Sequence, residues 1–229
     1  MSLDPNLERL ERAAELLGPL MDQLLLVGGC ATGLLITDPG SAPIRATFDV
    51  DFVLEAIRYQ EYASFEKQLT DRQFRPGHEE DDPICRFRRE DLVLDVMASG
   101  NVHGFHNPWY PRAFEARLES RLPSGKRIQH VDGPHFVATK LVAFLDRGAE
   151  DPVTSHDAED IVLVVDGRDS LLDEVAEAPD DLQEFIARGI AKLTGDSLFM
   201  DALEGFFERP IAFERAGIVG ERLRMLARE

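Results

Sequence analysis

The pattern of apolar residues changes near residue 133 of this chain of 229 residues. Before that point, short apolar runs typical of β-strands alternate with stretches of helical period, and after it almost every segment has a helical period. This combination predicts an α+β fold, in which a mixed sheet is flanked by helices and a helical C-terminal half follows. We expect an α/β domain over 1–132 and a helical domain over 133–229.

Individual elements follow from the same patterns and from the Gly, Pro and Asn residues between them. Strands are expected at 24–27 and 47–54. Two hairpins are expected, one over 84–97 that turns near Arg89-Glu90 and one over 121–131. Helices are expected at 7–21, 30–36, 59–69, 134–146, 155–166, 169–177, 180–193, 198–208 and 217–228.

The first candidate functional feature is the pair Gly28-Gly29, which follows the apolar run Leu24–Val27 and precedes a helical stretch. Two glycines allow the backbone to approach a ligand closely, and a helix N-terminus presents amides that suit phosphate. Alone the signal is weak, because strand-to-helix turns often use glycine simply to turn.

The second feature is Asp49-Val50-Asp51 within the expected strand. Side chains at positions i and i+2 of a strand point to the same face, so the two carboxylates converge. Their neighbours Phe48, Val50 and Phe52 are apolar, and two desolvated like charges need a cation. Mg²⁺ is the hard, oxygen-seeking cation that fits. The alternative is an edge strand with one polar face.

The third feature is Asp95, an isolated acid in the apolar run Leu92–Met97. If this strand lies beside the strand of Asp49 and Asp51, Asp95 completes a site of three carboxylates. Such a site can hold two divalent ions that clamp a triphosphate and activate an attacking hydroxyl.

In the second half, Lys140 shares an apolar helical stripe with Phe136 and Phe144. A lysine there either extends outward to solvent or serves a buried anion. On the next helix, Asp157 and Asp160 share one face. The alternative is that Ser155 caps this helix and Asp157 complements the helix dipole.

Taken together, Val27-Gly28-Gly29, Asp49-x-Asp51 and Asp95 resemble the nucleotidyltransferase superfamily of the polymerase-beta type. The pattern of that superfamily is a glycine turn, an Asp-x-Asp pair and a third acid on a neighbouring strand. Lys140 and the following segment 155–161 are similar to the later motifs of the AbiEii-like toxin nucleotidyltransferases, in which a helix lysine precedes an Asp-x-x-Asp helix. The similarity covers residues 24–166.

The resemblance implies a nucleotidyltransferase-type sheet, an NTP substrate, a two-metal Mg²⁺ site and a protein antitoxin. It gives the three features and the helix lysine these roles: catalysis by Asp49, Asp51, Asp95, Lys140 and Asp157, metal ligation by Asp49, Asp51 and Asp95, and nucleotide binding by Gly28, Gly29, Cys30 and Lys140. Where the family usually offers a Ser or Thr hydroxyl in the turn, this chain has Gly29 and Cys30. Since a thiol is a weak donor, we expect triphosphate binding to rest on backbone amides.

The acceptor is the least constrained part of the reaction. The resemblance implies RNA, with the 3′ end of tRNA favoured, but the net charge of −18 opposes broad contact with a polyanion. Both hold if a short single-stranded end is steered by the basic residues of the two hairpins, which are Arg86, Arg88, Arg89, Arg121, Lys126 and Arg127. Alternatively, these side chains pair with the acids of segment 79–82.

Two other functions stay open. A small-molecule acceptor such as an aminoglycoside would be drawn to the acidic surface, and a non-catalytic descendant would only bind a nucleotide or a partner. The chain has two cysteines, too few for a disulfide scaffold, and its longest uncharged apolar stretch, Leu24–Ile36, is too short to span a bilayer. We therefore expect a cytoplasmic protein without a membrane partner.

Overall fold

The computed structural model describes residues 4–102, 104, 107–147 and 151–228. They form two compact units. Among the described residues, the sheet unit contains 4–34 and Arg45–Asp132, and the helical unit contains Leu35–Ile44 and the chain from Gly133 onward. The predicted α+β class is confirmed, since a mixed sheet with flanking helices is followed by a helical C-terminal half.

The sheet unit is organised around a sheet of seven strands in the order β3-β4-β5-β2-β1-β7-β6. The neighbours β2 and β5, and β1 and β7, are parallel, whereas the other neighbours are antiparallel. Both expected hairpins are present, as β4–β5 and β6–β7. The strands are β1 Leu24–Leu26, β2 Val50–Leu54, β3 Arg75–Pro76, β4 Arg86–Arg89, β5 Leu92–Ala98, β6 Leu118–Arg121 and β7 Arg127–His130.

Helices cover the sheet because their apolar stripes bury against it. In the helix over Tyr59–Asp71, the Tyr62 hydroxyl donates to the backbone oxygen of Val96 at 2.6 Å, which ties the helix to β5. The helices of this unit are α1 Leu7–Leu17, α2 Gly28–Leu35, α3 Tyr59–Asp71 and α4 Tyr110–Glu115.

Two predicted boundaries in this unit are wrong. The helix expected over 7–21 ends at Leu17, because Gly18 adopts a φ of 54° and is followed by Pro19, and the chain continues as a 3-10 helix over Gly18–Gln23. The strand expected over 47–54 begins only at Val50. Asp49 therefore lies just before the strand, in a turn that side chains hold in place.

The helical unit contains six α-helices among its described residues. The helix expected over 198–208 is two elements, α9 and a 3-10 helix over Leu203–Phe206, and the helix expected over 217–228 begins five residues earlier. The helices are α5 Gly133–Arg147, α6 His156–Gly167, α7 Leu171–Glu177, α8 Asp180–Thr194, α9 Ser197–Ala202 and α10 Ala212–Ala227.

Segment Leu35–Ile44 groups with these helices, although the expected boundary placed it in the first domain. The fully buried carboxylate of Asp166 accepts hydrogen bonds from the Ala42 amide at 3.1 Å and from Arg215 at 3.0 Å. Arg215 also pairs with Asp38 at 2.7 Å. In the portion of the chain that the structure describes, no helix is both long and apolar enough to cross a membrane.

Candidate active site

The strand order brings two of the three predicted acids together. Strands β2 and β5 are parallel neighbours, and their register pairs Asp51 with Asp95. Paired residues of adjacent strands point to the same face, so both carboxylates lie on one side of the sheet. The condition set by the sequence, that the two strands be neighbours, is met.

Gly28 fits closely against this pair. Its φ is 65°, a conformation that only glycine adopts without strain. A Cβ added to Gly28 would lie 2.0 Å from Asp51 Oδ2 and 2.6 Å from Asp51 Cγ. Because α2 begins at Gly28, the first amides of this helix start beside the Asp51 carboxylate. The glycine turn and the acidic pair are thus one local structure.

Asp49 is held by a buried network that the sequence analysis missed. The Asn6 amide oxygen accepts from the Thr47 backbone at 2.9 Å, and the Thr47 hydroxyl donates to the Asp49 backbone oxygen at 3.1 Å. The Cys30 thiol lies 2.9 Å from the Thr47 hydroxyl and donates to the same Asp49 oxygen at 3.4 Å. Asn6 immediately precedes α1, but its side chain makes no capping bond to that helix.

The position of Cys30 limits its expected role in nucleotide binding to its backbone amide. The side chain is fully buried, and burial raises the pKa of the thiol to about 12. A neutral, enclosed thiol that contacts Thr47 and Asp49 cannot also meet a phosphate. Cys30 therefore positions the turn that carries Asp49.

Arg86 joins the acids from the neighbouring strand β4, where it is paired with Asp95. Its Nε and Nη2 atoms donate to the two carboxylate oxygens of Asp95 at 2.8 and 2.7 Å, a bidentate pair. Nη2 also donates to Asp49 Oδ2 at 2.6 Å. The hydrogen bonds to Asp95 raise the pKa of Arg86 further above its usual range.

This arrangement bears directly on the predicted metal site. Among the described residues, no group of three or more His, Cys, Asp or Glu side chains is arranged to hold a metal ion. The donor atoms are all carboxylate oxygens, which suit a hard divalent cation. However, Arg86 already binds the oxygens of Asp49 and Asp95 as their cation. The donor set fits Mg²⁺ in its chemistry, and the guanidinium competes for the same atoms.

The other basic residues of the hairpins are compensated largely within the sheet unit. Arg88 pairs with Asp82 at 2.7 Å and with Glu79 at 3.6 Å, as the alternative interpretation expected. Arg127 pairs with Glu119 at 3.4 Å. Of the two alternatives, pairing with acids is the one observed for Arg86 and Arg88, because both guanidinium groups face carboxylates.

In the helical unit, Lys140 of α5 contacts both acids of the predicted α6 face. Its Nζ lies 3.1 Å from Asp157 Oδ1 and 2.6 Å from Asp160 Oδ2. The side chains of the lysine and the two acids are 9%, 5% and 0% exposed. The outward orientation of Lys140 is therefore excluded, and the anions that it serves here are carboxylates.

Asp157 has a second cation, since Arg147 Nη2 lies 2.9 Å from its Oδ2. Ser155 caps α6, with the Ala158 amide donating to its hydroxyl at 3.4 Å. The capping alternative is correct for Ser155, but Asp157 does more than complement the helix dipole, because it is an ion-pair partner of two basic side chains.

The comparisons with known proteins add little to these observations. No family model and no curated protein matches the chain. A solved structure described as "Crystal structure of JHP933 from Helicobacter pylori" is 16% identical over 97% of this chain and 91% of that chain, with a TM-score of 0.46. At that level the likeness supports no conclusion about function.

Proposed function

We propose that this chain is a metal-dependent nucleotidyltransferase that moves a nucleoside monophosphate from an NTP to an acceptor hydroxyl. The observation that carries the proposal is the register of β2 and β5, which sets Asp51 beside Asp95. Asp49 is directed to the same guanidinium as Asp95, and the glycine turn at Gly28 lies against Asp51. Acids on one face beside a helix N-terminus suit a cation and a phosphate together.

In the proposed reaction, Asp49, Asp51 and Asp95 are the ligands of Mg²⁺. When bound, Mg²⁺ neutralises phosphate charge and lowers the pKa of the attacking hydroxyl. The acceptor oxygen attacks the α-phosphorus, the bond from that phosphorus to the β-bridging oxygen breaks, and pyrophosphate leaves. Asp95 takes the proton of the hydroxyl, and the amides that begin with Gly28 and Gly29 hold the triphosphate.

The resemblance assigns Lys140 to neutralising phosphate charge and Asp157 to the same catalytic set. In the structure Lys140 is already paired with Asp157 and Asp160. To bind Lys140, a phosphate must therefore compete with two buried carboxylates. We keep both assignments as proposals that rest on the sequence motif.

Transfer is tested with each α-labelled NTP, Mg²⁺ and either total RNA or a panel of small hydroxylated molecules. We expect the wild-type chain to label a product and the Asp51→Asn variant to lose transfer. Asp81→Asn is the matched control, because Asp81 is an exposed acid of the same unit that faces solvent. Equal transfer by Asp51→Asn and the control would refute the assignment.

For the acceptor, we propose a short single-stranded RNA end, following the resemblance, with the 3′ end of tRNA tested first. A labelled tRNA supports this assignment, and the antitoxin partner that the resemblance implies is tested by whether expression of the chain alone arrests growth.

A second candidate acceptor, a cationic small molecule, is favoured by a specific observation. The net charge is −18, and Arg86 and Arg88 are paired with acids rather than open to phosphate. Labelled aminoglycoside in the absence of labelled RNA would select this acceptor.

A further inference from the structure

Arg86 is the one described side chain shown to bind two of the three proposed metal ligands at once. We propose that Arg86 is a specificity-determining residue, which excludes free divalent cations from the carboxylates and admits them only together with a nucleotide. This inference rests on the proposed function, because it concerns the same acids.

The exclusion follows from the atoms that are shared. Arg86 uses both oxygens of Asp95 and one oxygen of Asp49, with donor–acceptor distances of 2.6 to 2.8 Å. A divalent cation binds carboxylates through these same oxygens. The two cations therefore compete, and a bidentate guanidinium held on a β-strand is a strong competitor because its geometry is already organised.

The dependence on nucleotide follows from where the guanidinium can go. Asp82 Oδ1 lies 3.5 Å from Arg86 Nη1, but the same oxygen already accepts from Arg88 at 2.7 Å. A displaced Arg86 therefore regains little from Asp82. Phosphate oxygens accept bidentate bonds from arginine, so a triphosphate that arrives with the cation gives the guanidinium a new partner. Metal and nucleotide should then strengthen each other's binding by the same factor.

The test measures binding rather than turnover, using Mn²⁺ as the divalent probe and a non-hydrolysable α,β-methylene NTP. We compare the wild type with Arg86→Gln and with the control Arg12→Gln, because Arg12 is an arginine of the same unit that pairs with Glu15 at 2.8 Å and touches neither Asp82 nor the proposed metal ligands. We expect Arg86→Gln to bind Mn²⁺ alone at least about tenfold more tightly than the wild type, a free-energy change of about 1.4 kcal/mol. The factor by which the nucleotide improves Mn²⁺ binding should shrink in this variant.

The control Arg12→Gln should keep both the wild-type Mn²⁺ affinity and the wild-type nucleotide effect. Unchanged or weaker Mn²⁺ binding by Arg86→Gln would overturn the proposal. If Arg86→Gln does not fold, Arg86→Lys decides, because a lysine keeps the charge but lacks the fork that spans Asp49 and Asp95. We then expect tighter Mn²⁺ binding than in the wild type, and wild-type affinity would refute the proposal.

Failure of the proposed function looks different. If Arg86→Gln binds Mn²⁺ more tightly but the wild type transfers no nucleotide to any acceptor, Arg86 excludes cations from a site that has no role in nucleotide transfer. If the wild type transfers nucleotide while the Arg86 variants bind Mn²⁺ as the wild type does, the nucleotidyltransferase proposal stands and the role of Arg86 is refuted.

Discussion

Substituting Gly28 with alanine tests whether the glycine turn and Asp51 are built around each other. Two costs are expected, and the structure separates them. The first is backbone strain, since φ is 65° and an L-residue in that region costs roughly 1–2 kcal/mol. The second is steric, because the new Cβ would lie 2.0, 2.6 and 2.7 Å from the Oδ2, Cγ and Cβ atoms of Asp51.

The steric cost can be estimated from how Asp51 must respond. The overlap involves the whole side chain, so a small rotation of the carboxylate cannot relieve it. An off-rotamer side chain costs on the order of 0.5–1.5 kcal/mol. Backbone shifts forced by an extra atom in a tightly packed region cost about 1–3 kcal/mol. We therefore expect Gly28→Ala to lower the free energy of unfolding by about 2–5 kcal/mol in all.

The matched control is Gly125→Ala in the turn between β6 and β7. Gly125 has a φ of 84°, and a Cβ there meets no atom within 4 Å. This substitution carries the backbone strain without the clash. Urea unfolding of both variants isolates the steric term, which we expect to be about 1–3 kcal/mol. Both substitutions lie in the sheet unit, so the same transition reports on both.

A second measurement connects the clash to the site. In an Asp51→Ala background, the carboxylate is gone and only the 2.7 Å contact with Cβ remains, so the extra cost of Gly28→Ala should shrink. Equal destabilisation by Gly28→Ala and Gly125→Ala, or an unchanged cost in the Asp51→Ala background, would refute the close contact between the turn and Asp51.

Three further outcomes are expected. Lys140→Met leaves two buried carboxylates of α6 without their ammonium group. It should lower the free energy of unfolding, measured in urea, by about 3–5 kcal/mol. A loss below about 1 kcal/mol would contradict the buried ion cluster. Tyr62→Phe removes the buried hydrogen bond to the Val96 backbone oxygen and should cost about 1–3 kcal/mol, with no change in the denaturant slope. Cys30 and Cys85 are buried, and burial raises the pKa of each thiol to about 12. Neither should therefore react with a thiol reagent at mildly alkaline pH until the chain unfolds. Rapid labelling of the folded protein would contradict the burial of these thiols.

The local patterns predicted the strands and helices that carry the acids, but not the long-range pairing that brings the acids together. Leu92–Met97 reads as a strand from its own residues, whereas its position beside β2 depends on a parallel pairing across about forty residues of intervening chain. The sequence could only state the consequence of that pairing. The structure supplies the pairing itself, with Asp51 opposite Asp95.

The partner of Arg86 depends on one residue in a turn. A two-residue turn at Arg89-Glu90 would set Arg86 opposite Val93. The observed loop is Glu90-Asp91, with Glu90 at a φ of 57°, and β4 and β5 pair Arg86 with Asp95 instead. Because a shift of one residue in the loop moves every cross-strand partner by two, hairpin patterns alone do not determine such a contact.

Segment Leu35–Ile44 shows a different limit of sequence interpretation. Its Pro and Gly residues are typical of a loop, but the partners that hold it, Asp166 and Arg215, lie more than a hundred residues away. Asp166 lies at the end of an expected helix and Arg215 lies outside the expected helices, so no local pattern connects either of them to the loop. Only the buried contact between them shows that they anchor the loop.

The two ion clusters differ in the formal charge of the residues that form them. In the helical unit, Lys140 and Arg147 face Asp157 and Asp160, so the formal charges cancel. Such a cluster is complete by itself, although apolar residues of similar volume would often stabilise a core as well or better.

In the sheet unit, the formal charges of Asp49, Asp51, Asp95 and Arg86 sum to −2. The adjacent β5 residues Leu94 and Val96 are fully buried, so this strand accommodates apolar side chains on its other face without difficulty. Arg86 binds two of these acids, Asp49 and Asp95, while like charges on one face of a sheet repel one another and burial disfavours their charged form. The proposed Mg²⁺ site gives this arrangement a reason that pairing with Arg86 alone does not, because a divalent cation bound beside the three carboxylates would reduce their mutual repulsion.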